Sequence, residues 1–351
     1  MRSFVSLRTQ YENLGDEVIN GLLVRELARR MPVTALADGV PDWYLRQFKT
    51  HIDQGAAVTF ETSAARFYTR LALAGAKPQA SYLFLSPGDT TSRSEKFNAR
   101  DFLMRGLARL PGLRLANVGA SFSALSAARA KILSSSLKRG GPLTVRDHRS
   151  AALAARDGLK LPVVPDLAYL LGRKNSGRAD KALISLRAAD PASFTGTAVL
   201  DLVQIARDAG LEPVITWQVA RDRDYCRALA ESLGGQFVDF VGARPTLGEV
   251  AALYQQCRIV FSNRLHVLLI AAAFGAIALP LIGKAEAKVR GVFEAAALDD
   301  LIIDDQDEVG KVGALIDRHN ELDVRFHSAF SSAQADLGRF FDGLASPGRQ
   351  I

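Results

Sequence analysis

Strand-like and helix-like segments alternate along almost the whole chain, and this alternation limits the fold more than any other feature. The apolar segments run for five to eight residues, and the segments between them carry apolar residues at three- and four-residue spacing. This pattern is typical of α/β folds, in which helices cover largely parallel sheets. Representative strand-like segments are "AVTFE" (57–61), "SYLFLS" (81–86), "KALISLR" (181–187), "EPVITWQ" (212–218) and "RIVFS" (258–262).

The length of the chain, 351 residues, is sufficient for two domains. The alternation is interrupted at 162–180, where "LPVVPDLAYLLGRKNSGRAD" carries prolines and then a polar, basic stretch, as a link between domains does. We therefore expect two Rossmann-like βαβ domains facing a cleft, over residues 1–165 and 178–320. Residues 321–351 are expected to form a C-terminal helical tail that packs back on the N-terminal domain.

The charge balance favours an anionic ligand or surface, because 44 Lys+Arg stand against 37 Asp+Glu for a net charge of +7. The basic residues are scattered and are not interleaved with aromatic residues, so we expect no nucleic-acid partner. The positive charge is also compatible with peripheral contact with an anionic inner membrane.

Cysteine content and apolar runs exclude several other classes of protein. Two cysteines, Cys226 and Cys257, cannot form a disulfide framework or hold a structural zinc ion alone, and we expect both to be buried thiols. The longest apolar run, 267–283, contains a glycine and a proline and is shorter than the roughly 20 residues that span a bilayer. The N-terminus lacks the pattern of a signal peptide, which predicts a cytoplasmic protein.

The stretch "SNRLHVLLIAAAFG" (262–275) places an arginine and a histidine between a predicted strand and a predicted helix. Ligands of open α/β sheets bind beyond the carboxyl ends of the strands. In extended chain, residues two apart point the same way, so Arg264 and His266 can face one site while Leu265 packs inward. The positive end of the helix adds to an anion site with a titratable group beside it. A purely structural histidine is the alternative.

Three further cations follow predicted strands. Arg187 ends "LISLR", where a buried arginine is costly unless it is paired or meets an anion, so an anion site and a structural salt bridge are both open. Arg146 lies at the strand-to-helix junction of "TVRDHRS", which can also be an exposed charged turn. Lys284 and Lys288 follow "AIALPLIG", and we expect only one of them to serve the site, with Lys288 the candidate.

Two polar clusters in the first half are candidates for binding an acceptor. In "YENLGDEVIN" (11–20), Gly15 allows a tight turn, and Asp16 either caps a helix that begins at Glu17 or acts on a substrate hydroxyl. Asn13 is expected to donate or accept hydrogen bonds in the cleft. Asp89, in the hydroxyl-rich stretch "SPGDTTSRSEKFN", lies either in a surface loop or in a sugar-binding loop.

Taken in order, five motifs resemble those of the polysaccharide pyruvyl transferases. They are "NLGDEVI", "VRDHRS", "VVPDLAYLL", "SLR" and "SNRLHVLLIAAAFGAIALPLIGKAEAKVRGVFE", and they extend from about residue 11 to residue 295. Members of that family often have a glycine-rich loop after the strand that here ends in "LSPGD", and this chain departs from that pattern. The resemblance implies a two-domain glycosyltransferase-B-like fold. It also implies transfer of a pyruvyl group from phosphoenolpyruvate onto two hydroxyls of a sugar, giving a pyruvate ketal in exopolysaccharide or its lipid-linked precursor.

The resemblance also implies roles for the candidate residues. His266 would be the general acid/base, and Arg264 and Arg187 would hold the phosphate and carboxylate of phosphoenolpyruvate, with Arg146 and Lys288 as weaker candidates for the same charge. Asp16 would orient or deprotonate the acceptor hydroxyl, with Asn13 and Asp89 as further acceptor contacts. Phosphoenolpyruvate is a substrate, so no cofactor is expected. No metal is expected either, because the arginines supply the positive charge.

Two other functions are compatible with the same sequence features. One is a nucleotide-sugar-dependent glycosyltransferase of the same fold, which would bind a diphosphate at helix N-termini. The other is a non-catalytic carbohydrate- or anion-binding protein. If the chain is a pyruvyl transferase, as the resemblance implies, its expected partners are phosphoenolpyruvate and a sugar or lipid-linked oligosaccharide acceptor.

Overall fold

The computed structural model describes residues 1–89, 106–107, 109–175, 180–187, 196–304 and 306–345. The chain divides into two compact units. The first unit comprises Met1–Tyr11, Asp16–Leu167 and Ala335–Ile351, and the second comprises Glu12–Gly15 and Ala168–Gln334. Both units consist of a parallel sheet with helices, as the alternating pattern predicts.

The boundaries of the units differ from the predicted boundaries at three places. The second unit begins at Ala168, within the predicted link, rather than at residue 178. The short segment Glu12–Gly15 joins the second unit, where Asn13 forms an isolated antiparallel bridge with Val219. The predicted tail at 321–351 instead belongs to one helix that begins at His319 and whose last part joins the first unit.

Contacts of that last part explain its assignment to the first unit. Asp342 forms an ion pair with Arg30 (Oδ1 to Nη2, 2.7 Å), and the Arg30 guanidinium lies 5.5 Å from the centre of the Phe341 ring. Charged and aromatic contacts therefore attach the end of the tail to the first unit.

The first unit contains a seven-stranded parallel sheet in the order β3-β2-β1-β4-β6-β5, with β7 paired to β6. The first and second strands of the chain are neighbours, in a register that pairs Ser6 with Leu36. The strands are β1 (Ser3–Ser6), β2 (Val33–Leu36), β3 (Val58–Glu61), β4 (Ser81–Phe84), β5 (Gly88–Asp89), β6 (Leu113–Ser121) and β7 (Leu143–Val145).

Three helices of the first unit begin at a side chain that accepts a hydrogen bond from one of the free N–H groups. The side chains of Ser63, Ser126 and Asp147 each accept a hydrogen bond from the backbone N–H three residues later. Asp147 is the cap of the helix that follows β7. The helices of this unit whose bounds the structure describes are α1 (Leu14–Ala28), α2 (Asp42–Lys49), α3 (Ala64–Gly75), α4 (Ala127–Leu137) and α5 (His148–Arg156).

The second unit contains a five-stranded parallel sheet in the order β10-β9-β8-β11-β12. Its strands are β8 (Lys181–Ser185), β9 (Glu212–Thr216), β10 (Gln236–Val238), β11 (Cys257–Ser262) and β12 (Ile277–Pro280). The described helices are α6 (Gly196–Asp208), α7 (Arg223–Leu233), α8 (Leu247–Tyr254), α9 (Leu265–Ala273), α10 (Ala287–Ala295), α11 (Val312–Asp317) and α12 (His319–Ala345). A short 3-10 helix, Ala220–Asp222, precedes α7.

Helix α9 is buried on all sides except at one residue, His266, which is partly exposed. A helix that is apolar around its whole circumference belongs in a core. The apolar run around 267–283 is thus a buried helix followed by the buried strand β12. Across the part of the chain that the structure describes, no helix is both long enough and apolar enough to cross a membrane. Cys226 and Cys257 are buried free thiols, as predicted.

A histidine with a buried side chain, His51, packs against Gly21 of helix α1. A Cβ atom on Gly21 would lie 2.7 Å from Cβ and Cγ of His51, so only glycine fits without displacing the ring. Nε2 of His51 lies 2.8 Å from Oε1 of Glu17, and both side chains are buried. Burial lowers the pKa of His51 to about 4, with a smaller contribution from the charge of Arg25, so the histidine is neutral near pH 7.

Candidate active site

The carboxyl ends of β8 and β11 bring two arginines to the same edge of the second sheet. The two strands are parallel neighbours, and Ser185 is paired with Ser262. Arg187 and Arg264 each follow that pair by two residues, so they leave the sheet at the same level. Asn263 links the two segments, because its Oδ1 accepts a hydrogen bond from the backbone N–H of Arg187 at 2.8 Å.

Arg264 is the N-cap residue of α9 and keeps an extended backbone, with φ −107° and ψ 119°. Its own N–H donates to Oγ of Ser262 at 3.0 Å. The helix begins at the next residue, Leu265, so the extended chain ends at Arg264. Alternation along an extended chain therefore does not reach His266, and a common direction of the Arg264 and His266 side chains stays a prediction.

The guanidinium of Arg264 is buried and held in a bidentate pair. Nη2 donates to Oδ1 of Asp222 at 2.7 Å, and Nε donates to Oδ2 of the same carboxylate. Burial lowers the pKa of Arg264, the hydrogen bond to Asp222 raises it, and the charges of Arg187 and Arg221 lower it further. Two parallel N–H···O bonds fix the plane of the guanidinium, which is thereby oriented before any ligand arrives.

His266 lies in the first turn of α9 and packs against Gly15. A Cβ atom on Gly15 would lie 2.4 Å from both Cβ and Nδ1 of His266. The sequence suggested a tight turn at Gly15, but the residue lies inside α1 and its φ is not positive. Glycine is needed at this position because the histidine ring lies directly against the backbone.

The start of α1 differs from the predicted start. The helix begins at Leu14 rather than Glu17, and Oδ1 of Asn13 accepts a hydrogen bond from the N–H of Gly15 at 3.0 Å. Asn13 thus supplies the helix cap, and Asp16 lies in the first turn, where Oδ2 accepts a hydrogen bond from Oγ1 of Thr9 at 2.9 Å. The cap interpretation of Asp16 was wrong, since the helix starts two residues before it.

Arg146 and its partners form a separate buried network in the first unit. Nη1 of Arg146 donates to Oδ2 of Asp166 at 2.6 Å, and Nε donates to Oγ of Ser121 at 2.6 Å. The side chains of Arg146 and Asp166 are 1% and 2% exposed, which is the geometry of a structural ion pair. Arg146 therefore does not lie in an exposed charged turn, which was one of the two predicted settings. It is buried because Asp166, in the motif "VVPDLAYLL", pairs with its guanidinium.

The remaining predicted site residues are Lys288 and Asp89, and the structure gives the position of each in its element. Lys288 is partly buried in the first turn of α10, and its backbone N–H donates to the N-cap side chain of Glu286 at 3.0 Å. Lys284 is exposed. Asp89 ends β5, and its side chain lies outside what the structure describes.

Sequence reasoning missed Asp222 and Arg221, which surround Arg264. Both lie in "VARDRDY", where charges of both signs follow one another. The pair of Asp222 with Arg264 joins residues 42 positions apart, and no local spacing indicates which of the two aspartates there will be buried. A guanidinium at the end of a buried strand was the only available signal that a carboxylate had to lie nearby.

The arrangement combines the elements of an anion site with a titratable group. Arg187 and Arg264 supply positive charge at neighbouring strand ends, and the N–H groups at the start of α9 add to it. His266 follows two residues after the buried guanidinium. Within the described residues, no three His, Cys, Asp or Glu side chains are arranged to hold a metal ion.

Several solved structures are similar to this chain at low sequence identity. A UDP-N-acetylglucosamine 2-epimerase homologue from Listeria monocytogenes has a TM-score of 0.57 and 12% identity, and the match covers 97% of this chain and 96% of that one. The Anabaena protein HepE, in complex with UDP and glucose, has a TM-score of 0.56 and 12% identity, with 98% of each chain covered.

An O-GlcNAc transferase from Thermobaculum terrenum is similar over 98% of this chain and 66% of its own, with a TM-score of 0.54 and 13% identity. These similarities confirm a glycosyltransferase-B-like fold.

Comparison of the sequence with curated proteins gave no match. The family model for polysaccharide pyruvyl transferase matches residues 13–280, a segment that contains both arginines and the histidine of the site. The match covers about three quarters of the chain. With the fold, the strand-end arginines and this match in agreement, the chain belongs to the polysaccharide pyruvyl transferase family.

Proposed function

We propose that this protein transfers the pyruvyl group of phosphoenolpyruvate onto two hydroxyls of a sugar, giving a pyruvate ketal in exopolysaccharide or its lipid-linked precursor. The observation that supports the proposal most is the placement of Arg187 and Arg264 at the same level on adjacent strands, with His266 in the following helix turn. Phosphoenolpyruvate carries a phosphate and a carboxylate, and two arginines can each hold one of these groups.

The pair with Asp222 determines what Arg264 can offer to such a donor. Nε and Nη2 are used by the carboxylate, whereas Nη1 is hydrogen-bonded to no other residue in the described part of the chain. The pair with Asp222 uses two of the five N–H groups, so Arg264 would offer up to three oriented N–H groups, two on Nη1 and one on Nη2, and Arg187 would supply further contacts. Asp222 also removes one positive charge, so the site is less repulsive before the donor binds.

The proposed chemistry needs one proton at carbon and one leaving group. Protonation of the methylene carbon of phosphoenolpyruvate by His266 gives an oxocarbenium-like centre at C2. The first sugar hydroxyl attacks this centre, and its proton is taken up by the His266 base formed in that step, which restores the acid. The C2–O bond to phosphate then breaks, the second hydroxyl closes the ketal, and its proton leaves with the phosphate. A general acid/base of this kind contributes about 10²- to 10⁴-fold to the rate.

Asp16 is the proposed group that orients or deprotonates the acceptor hydroxyl. Its carboxylate is partly exposed, and one oxygen accepts a hydrogen bond from Thr9, which fixes its direction. Asn13 and Asp89 remain weaker candidates for acceptor contacts, and Arg146 and Lys288 remain weaker candidates for the donor. Neither a cofactor nor a metal is part of the proposal, and its cytoplasmic setting and contact with the inner membrane stay predictions.

Phosphate release by the purified protein tests the proposed function. With phosphoenolpyruvate and a pyranose acceptor, the protein should release inorganic phosphate and add the mass of a pyruvyl ketal to the sugar. His266→Ala should lower that rate by about 10²- to 10⁴-fold while phosphoenolpyruvate still binds in calorimetry. His148→Ala, which removes an exposed histidine, is the matched control and should leave the rate unchanged.

Binding of the donor separates the proposal from its rivals. Thermal stabilisation by phosphoenolpyruvate but not by UDP or GDP compounds supports pyruvyl transfer. Stabilisation by a nucleoside diphosphate alone would instead indicate a nucleotide-sugar-dependent glycosyltransferase. Binding of phosphoenolpyruvate without phosphate release at any acceptor would indicate a non-catalytic binding protein. If His266→Ala retained full turnover, the acid/base role of His266 would be wrong.

A further inference from the structure

We propose that Tyr11 and Trp43 form a sugar-binding subsite in the first unit, beside the carboxylate of Asp16. The assignment of this sugar as the acceptor rests on the proposed function. The observation behind the proposal is a pair of partly exposed aromatic rings that share one buried ring and lie next to carboxylates and a hydroxyl.

The two rings are held by a buried aromatic base. The ring of Tyr44 is fully buried, and its centre lies 5.0 Å from the ring of Tyr11 and 5.9 Å from the ring of Trp43. Both contacts are edge-on, with interplanar angles of 66° and 80°. Tyr44 in turn stacks on buried Phe48 at 6.0 Å. The orientation of Tyr11 and Trp43 is therefore set by the core, and a ligand would meet rings that are already in place.

The topology of the first sheet explains why these residues meet. Strands β1 and β2 are parallel neighbours, so the segments that leave their carboxyl ends lie at one edge. Tyr11 lies on the segment after β1, and Trp43 lies in the first turn of α2, which follows β2. This edge is the usual position of ligands in open α/β sheets.

Charged and hydroxyl groups lie near the rings of Tyr11 and Tyr44. The carboxylate of Asp16 accepts a hydrogen bond from Thr9 and lies near the hydroxyl of Tyr44, whose pKa is raised first by burial and then by the charges of Asp16 and Tyr11. Arg8 forms an ion pair with Asp38. The pKa of Tyr11 is raised by burial, lowered by the charge of Arg8 and raised by that of Asp38, so this pair is close to the ring.

This combination fits a sugar better than other ligands. A pyranose has a face of C–H groups, which packs on an aromatic ring, and a rim of hydroxyls, which donate to carboxylates. A second anion is disfavoured by the charge of Asp16, and a purely apolar ligand would remove water from that carboxylate without giving it a hydrogen-bond donor. The subsite would place the sugar beside Asp16, the group proposed to act on its hydroxyl.

Direct binding of simple sugars tests the subsite without requiring turnover. The probes are the methyl glycosides of galactose, glucose, mannose and N-acetylglucosamine, measured on the full chain by saturation-transfer NMR and by fluorescence. The chain has two tryptophans, and Trp217 is buried in the second unit, so quenching by a sugar reports on Trp43. We expect at least one glycoside to bind and to quench.

Variants then assign the binding to the two rings. Trp43→Ala and Tyr11→Ala should each weaken binding of that glycoside by about tenfold, while Trp43→Phe, which keeps a ring, should retain most of it. Tyr68→Leu is the matched control, because Tyr68 is a partly buried aromatic on α3 of the same unit, and it should leave binding unchanged.

The outcomes separate this proposal from the proposed function. Absence of binding by all four glycosides, or equal binding by Trp43→Ala and the parent protein, would overturn the subsite even if phosphoenolpyruvate is turned over. Conversely, ring-dependent sugar binding without phosphate release would support the subsite and count against pyruvyl transfer. If the alanine variants melt earlier than the parent, Trp43→Leu replaces them: loss of sugar binding in Trp43→Leu with binding retained in Tyr68→Leu supports the subsite, and equal binding by the two variants overturns it.

Discussion

Replacing Gly15 by alanine should disable the site by moving His266 while leaving the arginines in place. The Cβ atom of the alanine would lie 2.4 Å from Cβ and from Nδ1 of the histidine. Unstrained carbon contacts are about 3.5–4.0 Å, so the two groups must separate by about 1 Å or more. The clash includes the Cβ of His266, next to its backbone, and rotation of the ring alone cannot relieve it.

The size of the expected effect follows from that displacement. A shift of about 1 Å in a catalytic group can lower the rate by about 100-fold, and we expect a loss of this size in kcat with phosphoenolpyruvate and an acceptor. Overpacking should cost about 1–3 kcal/mol of stability, offset by about 1 kcal/mol because alanine is a better helix former than glycine. Binding of phosphoenolpyruvate should change little, since Arg187 and Arg264 are not displaced.

Phosphate release, calorimetry with phosphoenolpyruvate and thermal melting on the same preparations distinguish these effects. The matched control is Gly248→Ala, also in a helix of the second unit, where the nearest atom to the new Cβ would be 4.0 Å away. It should keep full activity. Wild-type kcat in folded Gly15→Ala would refute the reasoning, because it would mean that the position of His266 is not set by Gly15 or does not matter.

Three further predictions concern buried charges. Asp222→Asn removes the carboxylate partner of Arg264 and should lower the free energy of unfolding by about 3–5 kcal/mol in urea titrations; an unchanged value would contradict the structural pair. Burial lowers the pKa of His51 from 6.5 to about 4, so between these values the unfolded chain binds a proton that the folded protein does not. Stability should therefore decrease by up to about 1.4 kcal/mol per pH unit as the pH falls through this range, and His51→Gln should remove that slope. Asp166→Asn should cost about 3–5 kcal/mol through Arg146, whereas replacing both partners by apolar residues should restore most of the loss in melting temperature.

The fold class could be read from the sequence because hydrophobic periodicity is a local property. The alternation of strand and helix patterns depends only on which residues need burial, and the structure has two parallel sheets as it implies. The unit boundaries could not be read in the same way. Residues 12–15 and the end of α12 join units distant in the chain through contacts such as Asn13 with Val219 and Arg30 with Asp342.

The sequence alone shows that an arginine and a histidine lie at the junction of a buried strand and a buried helix, because "SNRLH" separates two apolar runs. It did not determine what holds them. The carboxylate of Asp222 orients Arg264, and the bare backbone of Gly15 receives His266, across separations that no local pattern encodes. The buried pair of Arg146 with Asp166 is likewise a tertiary contact that no local pattern indicates. These contacts depend on which strands become neighbours, and strand order is set by the packing of the whole unit rather than by any one segment.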